Sequence, residues 1–97
     1  MTHYADFLRQ DMRLVILRLL VEMPGYRANS SVLNTALDNF GHTASRDQVK
    51  TELHWLAEQG AMTLTDVGPV LVAILTERGQ DIAAGRARVP GIKRPGA

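Results

Sequence analysis

The sequence predicts a small, mainly α-helical domain with one β-hairpin, in the order helix, helix, helix, hairpin, helix. Three observations lead to this prediction. Apolar residues recur at helical spacing in three segments, two strand-like runs flank the turn cluster Asp66–Pro69, and glycines stand where helices end. The chain has 97 residues, the length of one domain. We expect a folded domain over residues 1–85 and a basic, flexible tail over residues 86–97.

The first predicted helix runs from about Tyr4 to Met23, where Pro24-Gly25 ends it. Its buried stripe has helical spacing and consists of Leu8, Met12, Val15 and Leu19. The central stretch Leu14–Val21 is apolar nearly all round, so a second face also needs cover. We expect that face to form a homodimer interface made by Phe7, Ile16, Leu17 and Leu20. The alternative is cover by the last helix of the same chain.

Two further helices follow, joined by a short connection. Ser30 or Ser31 is expected to cap the second helix, and Gly41 ends it. The third helix begins with the capping-box pair Ser45 and Gln48. Its apolar stripe consists of Val49, Leu53 and Leu56, and Gly60 follows it. Two capped helices joined by about four residues that include a glycine form a helix-turn-helix.

After Gly60 the apolar pattern changes from the helical to the strand type. Ala61–Thr65 and Val70–Leu75 are the predicted strands of the hairpin. Thr76 is expected to cap a last helix, Glu77–Ala84. Val89–Ala97 holds two prolines and two glycines, and we expect it to be mobile.

Two motifs carry a family resemblance. The segment Leu75–Ala83 resembles the L-T-x-x-G-x-x-x-A segment that follows the wing in bacterial regulators of the winged helix-turn-helix superfamily. Leu56–Met62 resembles the end of their third helix. The resemblance covers about residues 12–84 and implies a winged helix whose third helix enters the DNA major groove. In length, element order and the Leu17–Leu20 core, the chain is also similar to small regulator-like proteins of Mu-like phages and prophages.

The exposed face of the third helix is the candidate DNA-reading surface. Helical geometry around buried Val49 exposes this face, and recognition helices meet base edges at their N-terminal end. The predicted DNA-binding residues of this helix are Ser45, Arg46, Asp47, Lys50, Thr51 and His54. Three acids, Asp47, Glu52 and Glu58, outweigh the two bases of the helix, which favours the alternative of a solvated helix face.

The charges of the chain are unevenly distributed. Seven bases and all ten acids lie in residues 1–81, which therefore sum to −3, whereas residues 82–97 sum to +4. Phosphate attraction supplies most non-specific DNA affinity, so the tail is a candidate DNA arm. Its bases are Arg86, Arg88, Lys93 and Arg94. The alternative is a disordered, solubilising end. The hairpin turn offers Asp66 and no base, so we expect a structural hairpin there.

Several kinds of site are excluded or disfavoured. The chain has no cysteine, which excludes disulfides and thiol nucleophiles. Its three histidines lack metal-ligand spacing, and no phosphate loop or nucleophile motif occurs. We therefore expect no enzyme, no cofactor and no metal. Since no signal peptide or membrane-spanning stretch is visible, we expect a cytoplasmic protein without membrane contact.

Two functions remain. The first is a phage or prophage transcriptional regulator that binds double-stranded DNA, with the third helix in the major groove. The second is a protein–protein interaction module on the same scaffold, without DNA contact. The acidic folded part and the absence of a base from the hairpin turn favour the second function, whereas the family resemblance favours the first.

Overall fold

The computed structural model describes residues 3–96, so Met1, Thr2 and Ala97, the outer ends of the predicted domain and tail, lie outside the described residues. It contains four helices and a three-stranded antiparallel sheet, an architecture compatible with a winged helix. The elements are α1 His3–Glu22, β1 Arg27–Asn29, α2 Ser30–Asn39, α3 Arg46–Glu58, β2 Met62–Val67, β3 Val70–Leu75 and α4 Glu77–Ala84. Within residues 3–96, no helix is long and apolar enough to cross a membrane.

The caps predicted for α3 and α4 are confirmed. The Ser45 hydroxyl accepts a hydrogen bond from the Gln48 backbone N–H at 3.0 Å. The Thr76 hydroxyl accepts one from the Gly79 N–H at 3.1 Å. Each cap satisfies a backbone donor that has no partner within its own helix. These local bonds fix where both helices begin.

The cap predicted for α2 is wrong. Asn29, not Ser30 or Ser31, accepts from the Val32 N–H, at 2.8 Å. Ser30 is buried, and its hydroxyl accepts from the Leu71 N–H at 3.1 Å. The start of α2 is thereby tied to β3 as well as capped.

The sheet has the order β1-β3-β2, with β3 in the centre. Its first strand, Arg27–Asn29, lies between the first two helices, where the sequence predicts no strand, and it pairs antiparallel with β3. In the hairpin Val67 pairs with Val70, so the turn is the dipeptide Gly68-Pro69 and not the longer Asp66–Pro69. Gly68 has a φ of 60°, a left-handed conformation that suits glycine.

The predicted dimer interface on α1 is wrong for three of its four residues. Ile16, Leu17 and Leu20 are each 0% exposed within the single chain. The alternative prediction, cover within the same chain, applies instead, because α1 packs against α2, β3 and α4. Phe7 remains exposed. The all-round apolar centre of α1 reflects its central place in the core.

The C-terminal segment, residues 86–96, was expected to be flexible, but the structure docks it on α1 and α3. Val89 and Ile92 are buried in the core. The Lys93 N–H donates to the Gln10 carbonyl at 3.2 Å. The two apolar side chains explain the docking, because burial of apolar surface offsets the cost of ordering the segment.

A buried ion pair lies between α1 and α3. Glu52 is 3% exposed, and its carboxylate accepts from Arg13 Nε at 2.6 Å. Arg9 Nε lies 3.6 Å from the same carboxylate. Arg13 also donates to the Gly91 carbonyl at 3.0 Å, and its guanidinium lies 3.7 Å from the centre of the Trp55 ring. Arg13 therefore joins α1, α3 and the C-terminal segment.

A second junction is centred on Asp11. Its carboxylate lies 2.7 Å from Nε2 of buried His42 and 3.2 Å from Nζ of Lys93. Burial by itself raises the pKa of Asp11. The hydrogen bonds from His42 and Lys93, together with their charges, outweigh that effect and hold the pKa below its ordinary value of 3.8. The junction links α1, the α2–α3 connection and the C-terminal segment.

This junction predicts acid sensitivity. Since the pKa of Asp11 is lower in the folded chain than in the unfolded chain, its contribution is complete above the unfolded pKa and disappears as the pH falls through the folded pKa. Asp11→Asn should lower the free energy of unfolding at neutral pH by about 1–2 kcal/mol and flatten its decline below about pH 4. Urea unfolding followed by circular dichroism at several pH values measures both effects.

Asp6→Asn is the matched control, because Asp6 is exposed on α1 and its one ion pair within residues 3–96 is with Arg9, at 4.0 Å. Its pH profile should follow the wild type. A profile for Asp11→Asn that declines in acid as steeply as the wild type would contradict this account.

Candidate nucleic-acid interface

A polar cleft opens where the starts of α2 and α3 meet the turn of the hairpin. Its volume is about 200 Å³. Its lining consists of Ser30, Ser31, Arg46, Lys50, Pro69 and Val70. We call it the cationic cleft, because both of its ionisable side chains are bases.

Arg46 and Lys50 bring positive charge to the cleft from the first two turns of α3. Arg46 is exposed, and Lys50 Nζ donates to the Pro69 carbonyl at 2.7 Å. Neither side chain forms an ion pair with a carboxylate of residues 3–96. The start of α2 adds backbone N–H donors and the positive end of its dipole. This combination suits an anionic group such as a phosphate.

The burial of Glu52 changes the charge of α3. The sequence suggested that three acids outweigh two bases on this helix. Glu52 is withdrawn from the surface and neutralised by Arg13, which leaves Asp47 and Glu58 as the acids outside the core. The surface of α3 is therefore balanced rather than anionic, with its bases gathered at the N-terminal end.

The other predicted residues of α3 lie on its exposed face. Ser45, Asp47, Thr51 and His54 are all exposed. The Ser45 hydroxyl is engaged as the helix cap, and the Thr51 hydroxyl donates to the Asp47 carbonyl at 2.9 Å. The side chains of Asp47 and His54 are thus better placed than the two hydroxyls to contact a ligand.

The C-terminal bases do not join the cationic cleft. At 3.6 residues per turn, Lys50 and Trp55 point about 140° apart around α3. The C-terminal segment crosses at Trp55, since a Cβ on Gly91 would lie 2.9 Å from the Trp55 ring. The segment therefore meets α3 at Gly91, on the flank opposite the cationic cleft.

The four bases of the C-terminal segment have different surroundings. Lys93 is paired with Asp11, and Arg86 Nε lies 3.0 Å from an Asp81 carboxylate oxygen. Arg88 and Arg94 form no ion pair within the described part of the chain. Half of the predicted basic arm is therefore engaged with acids of the domain itself.

Sequence reasoning missed two contributors to the cleft. The sequence marks Ser31 only as a possible cap and Pro69 only as a turn residue. Pro69 and Lys50 are 19 residues apart in the sequence, so no local sequence pattern predicts their contact. The position of Ser31 at the start of the first helix of a helix-turn-helix was a usable signal, because such helix starts attract anions.

Comparison with known proteins identifies the relatives of this chain. It is 50% identical over 90 residues to an uncharacterized protein, gp26, of Escherichia phage Mu, and the match covers 93% of each chain. The chain belongs to the family of phage Mu gp26. The chain is also 41% identical over 93 residues to an uncharacterized protein of Haemophilus influenzae, with 90% of each chain covered. No protein-family model and no solved structure matches the chain.

This gp26-family chain has a second, larger concave surface away from the cationic cleft. A groove of about 580 Å³ runs between the C-terminal half of α1, the end of α2, and α4. We call it the α1–α4 groove. Its lining is mainly apolar, with three charged side chains, and comprises Val15, Arg18, Leu19, Val21, Glu22, Tyr26, Phe40, Gln80, Ala83, Ala84 and Arg86.

Proposed function

We propose that this gp26-family protein is a phage-type regulator that binds double-stranded DNA through α3 and the cationic cleft. The observation that carries the proposal is the meeting of Arg46, Lys50 and the start of α2 in one cleft beside the exposed face of α3. Phosphate contacts position a protein on DNA, whereas contacts to base edges give specificity. The cleft suits the first task and the face of α3 suits the second.

In this proposal α3 enters the major groove. Arg46, at the N-terminal end of α3, reaches a guanine edge or a phosphate. The cationic cleft follows one phosphate backbone. Arg88 and Arg94, which line a small cavity beside the end of α4, supply further phosphate contacts. A homodimer with two-fold symmetry then places two α3 helices about 34–36 Å apart on the DNA.

The fold favours a winged helix as the scaffold. Three helices precede the β2–β3 hairpin, and β1 pairs with the central strand β3. In the proposal the hairpin is the wing, but it does not clamp DNA, because its turn carries no base. The bond from Lys50 to the Pro69 carbonyl instead holds the turn against α3. The wing thus stabilises one wall of the cleft.

Two substitutions in the cleft test the proposal. Arg46→Ala and Lys50→Ala should each weaken binding to a random-sequence duplex and lower the slope of log affinity against log salt by about one. Fluorescence anisotropy with a labelled duplex, between about 50 and 200 mM salt, measures both quantities. Arg27→Ala is the matched control, since Arg27 is an exposed arginine that pairs with Ile74, far from the hairpin turn.

Absence of wild-type binding at about 50 mM salt would reject the DNA proposal, because phosphate contacts are strongest at low salt. An equal loss of affinity in Arg27→Ala would reject the cationic cleft as the contact surface. Circular dichroism spectra of all variants confirm that folding is intact.

A second candidate function is protein–protein interaction, and the α1–α4 groove favours it. Three of its large apolar side chains are exposed, namely Val21, Tyr26 and Phe40. The two functions use different surfaces, so one molecule can carry both. A chain that binds no DNA but retains a partner in the groove would support this second candidate.

A further inference from the structure

The α1–α4 groove gathers exposed apolar side chains in one place. Val21, Tyr26 and Phe40 are 37%, 42% and 59% exposed. All three line the same concave surface, together with the half-buried Val15 and Leu19. Clustered apolar residues with a polar rim are typical of protein contact sites.

The conformation of Tyr26 supports a contact there. Its φ is 57°, and it is the one residue other than glycine with a positive φ within residues 3–96. The left-handed conformation is costly for a bulky side chain, and such strain persists where the surroundings or a function require it. Here it holds an aromatic ring, still exposed, at the edge of the groove.

Two opposite charges flank the apolar stripe of α1. Arg18 and Glu22 line the groove one helical turn apart. Neither forms an ion pair within the part of the chain that the structure describes. Arg86, the third charge of the groove, is paired with Asp81. The groove thus offers one unpaired positive and one unpaired negative group.

We propose that a second copy of this chain occupies the groove, with the exposed, groove-lining sides of the two α1 helices antiparallel. The two-fold axis then lies midway between Arg18 and Glu22 along the helix, on the side of α1 that faces away from buried Leu20. A two-fold interface must be self-complementary: if one residue meets another, the reverse contact also forms. Antiparallel packing brings Arg18 opposite Glu22 of the second copy, twice. The inference rests on the homodimer included in the proposed function and supplies its surface.

The charge pattern favours a second copy over other partners. A nucleic acid or an anionic membrane would need several bases, and a basic peptide would need several acids. The groove has one unpaired base, Arg18, and one unpaired acid, Glu22. When two copies of α1 pack antiparallel, the base of each copy faces the acid of the other. Phe40 and Tyr26 stand at the edges of the groove, where they can fill the space between two copies.

Charge reversal tests the proposal without DNA. Sedimentation equilibrium should show a dimer for the wild-type chain at about 100 µM, a concentration that populates weak dimers. Arg18→Glu and Glu22→Arg should each raise the dissociation constant by about tenfold or more, because both attractive pairs become repulsive. The double variant with both substitutions should restore the dimer, since the pair is only exchanged.

Mixing the two single variants is the sharpest arm of the test. Arg18→Glu carries acids at both positions 18 and 22, and Glu22→Arg carries bases at both, so two copies of the same variant repel each other. The mixture should form a heterodimer, because acids then face bases. Arg27→Glu, a charge reversal outside the groove lining, is the control and should dimerise like the wild type. Folded circular dichroism spectra confirm that each variant is intact.

The outcomes separate this inference from the proposed function. A monomeric wild-type chain at about 100 µM overturns the dimer, whether or not DNA is bound. A dimer that none of the charge variants changes overturns the groove as its surface. A dimer that follows the charge pattern but binds no DNA supports the inference and rejects DNA binding.

Discussion

Replacing Gly79 by alanine is expected to destabilise the protein by about 3 kcal/mol or more. Gly79 lies in the first turn of α4, where the helix meets the beginning of β2. A Cβ at this position would overlap the Ala61 carbonyl oxygen and lie 2.5 Å from Leu75 Cδ1. The carbonyl cannot retreat freely, because it accepts the Thr76 N–H at 3.0 Å. The added methyl must therefore push α4 away from the sheet.

Urea unfolding followed by circular dichroism measures this loss. Gly41→Ala is the control, since Gly41 has a φ of 84° and an added Cβ there would meet no atom within 4 Å. It should cost about 1–2 kcal/mol for conformation alone. If the two variants lose the same stability, close approach of α4 and β2 is not the reason for glycine at position 79.

Replacing Arg13 by alanine is expected to cost about 3–5 kcal/mol, because it leaves the Glu52 carboxylate buried without its main partner. The substitution also removes the hydrogen bond to the Gly91 carbonyl and the stacking on Trp55. The C-terminal segment should then lose part of its attachment. Urea unfolding gives the stability, and limited proteolysis after residue 85 reports on the segment.

Arg9→Ala is the matched control for this second experiment. Arg9 approaches the same carboxylate at 3.6 Å, but its side chain is 49% exposed, so its loss should cost about 1 kcal/mol or less. Equal losses for Arg9→Ala and Arg13→Ala would mean that burial of the Arg13–Glu52 pair does not govern stability.

The sequence predicted the elements whose signals are local. Ser45 with Gln48, and Thr76 before α4, are bonds between residues three apart, so their chemistry is visible in a short stretch of sequence. The two hairpin strands are also predicted by local patterns. The strand predicted over Ala61–Thr65 spans Met62–Val67, and the second spans Val70–Leu75 as predicted. The turn between them is tighter than predicted. The cap prediction for α2 is wrong because Asn29, Ser30 and Ser31 are all residue types that cap helices. Only the tertiary structure shows that the Ser30 hydroxyl bonds to β3 instead.

The remaining errors concern partners that lie far apart in the chain. Glu52 looked like a surface acid because its partner, Arg13, is 39 residues away. Ile16 and Leu17 were predicted to need cover by a second chain. The apolar periodicity of α1 shows that two of its faces are apolar, but it does not show which elements of the same chain cover them. Val89 and Ile92 stand among prolines, glycines and bases, a composition typical of a mobile end. Their spacing of three residues was the local sign of burial.

The candidate site shows the same division. The exposed face of α3 follows from helical geometry, and Arg46, Asp47, Thr51 and His54 lie there as predicted. Helical geometry alone does not predict the cationic cleft, because the cleft forms only where the hairpin turn contacts Lys50. The separation of the C-terminal bases from the cleft depends on docking at Trp55.

The crossing of the C-terminal segment over Trp55 gives the protein a built-in optical probe. Trp55 is the only tryptophan in the chain, and it lies against both the Arg13 guanidinium and the backbone of Gly91. Indole emission depends on contact with water and with neighbouring charges, so undocking of the segment changes the emission spectrum while the four helices stay folded. The emission of Trp55 therefore shows, without an added dye, whether this end of the chain moves when a candidate ligand is added.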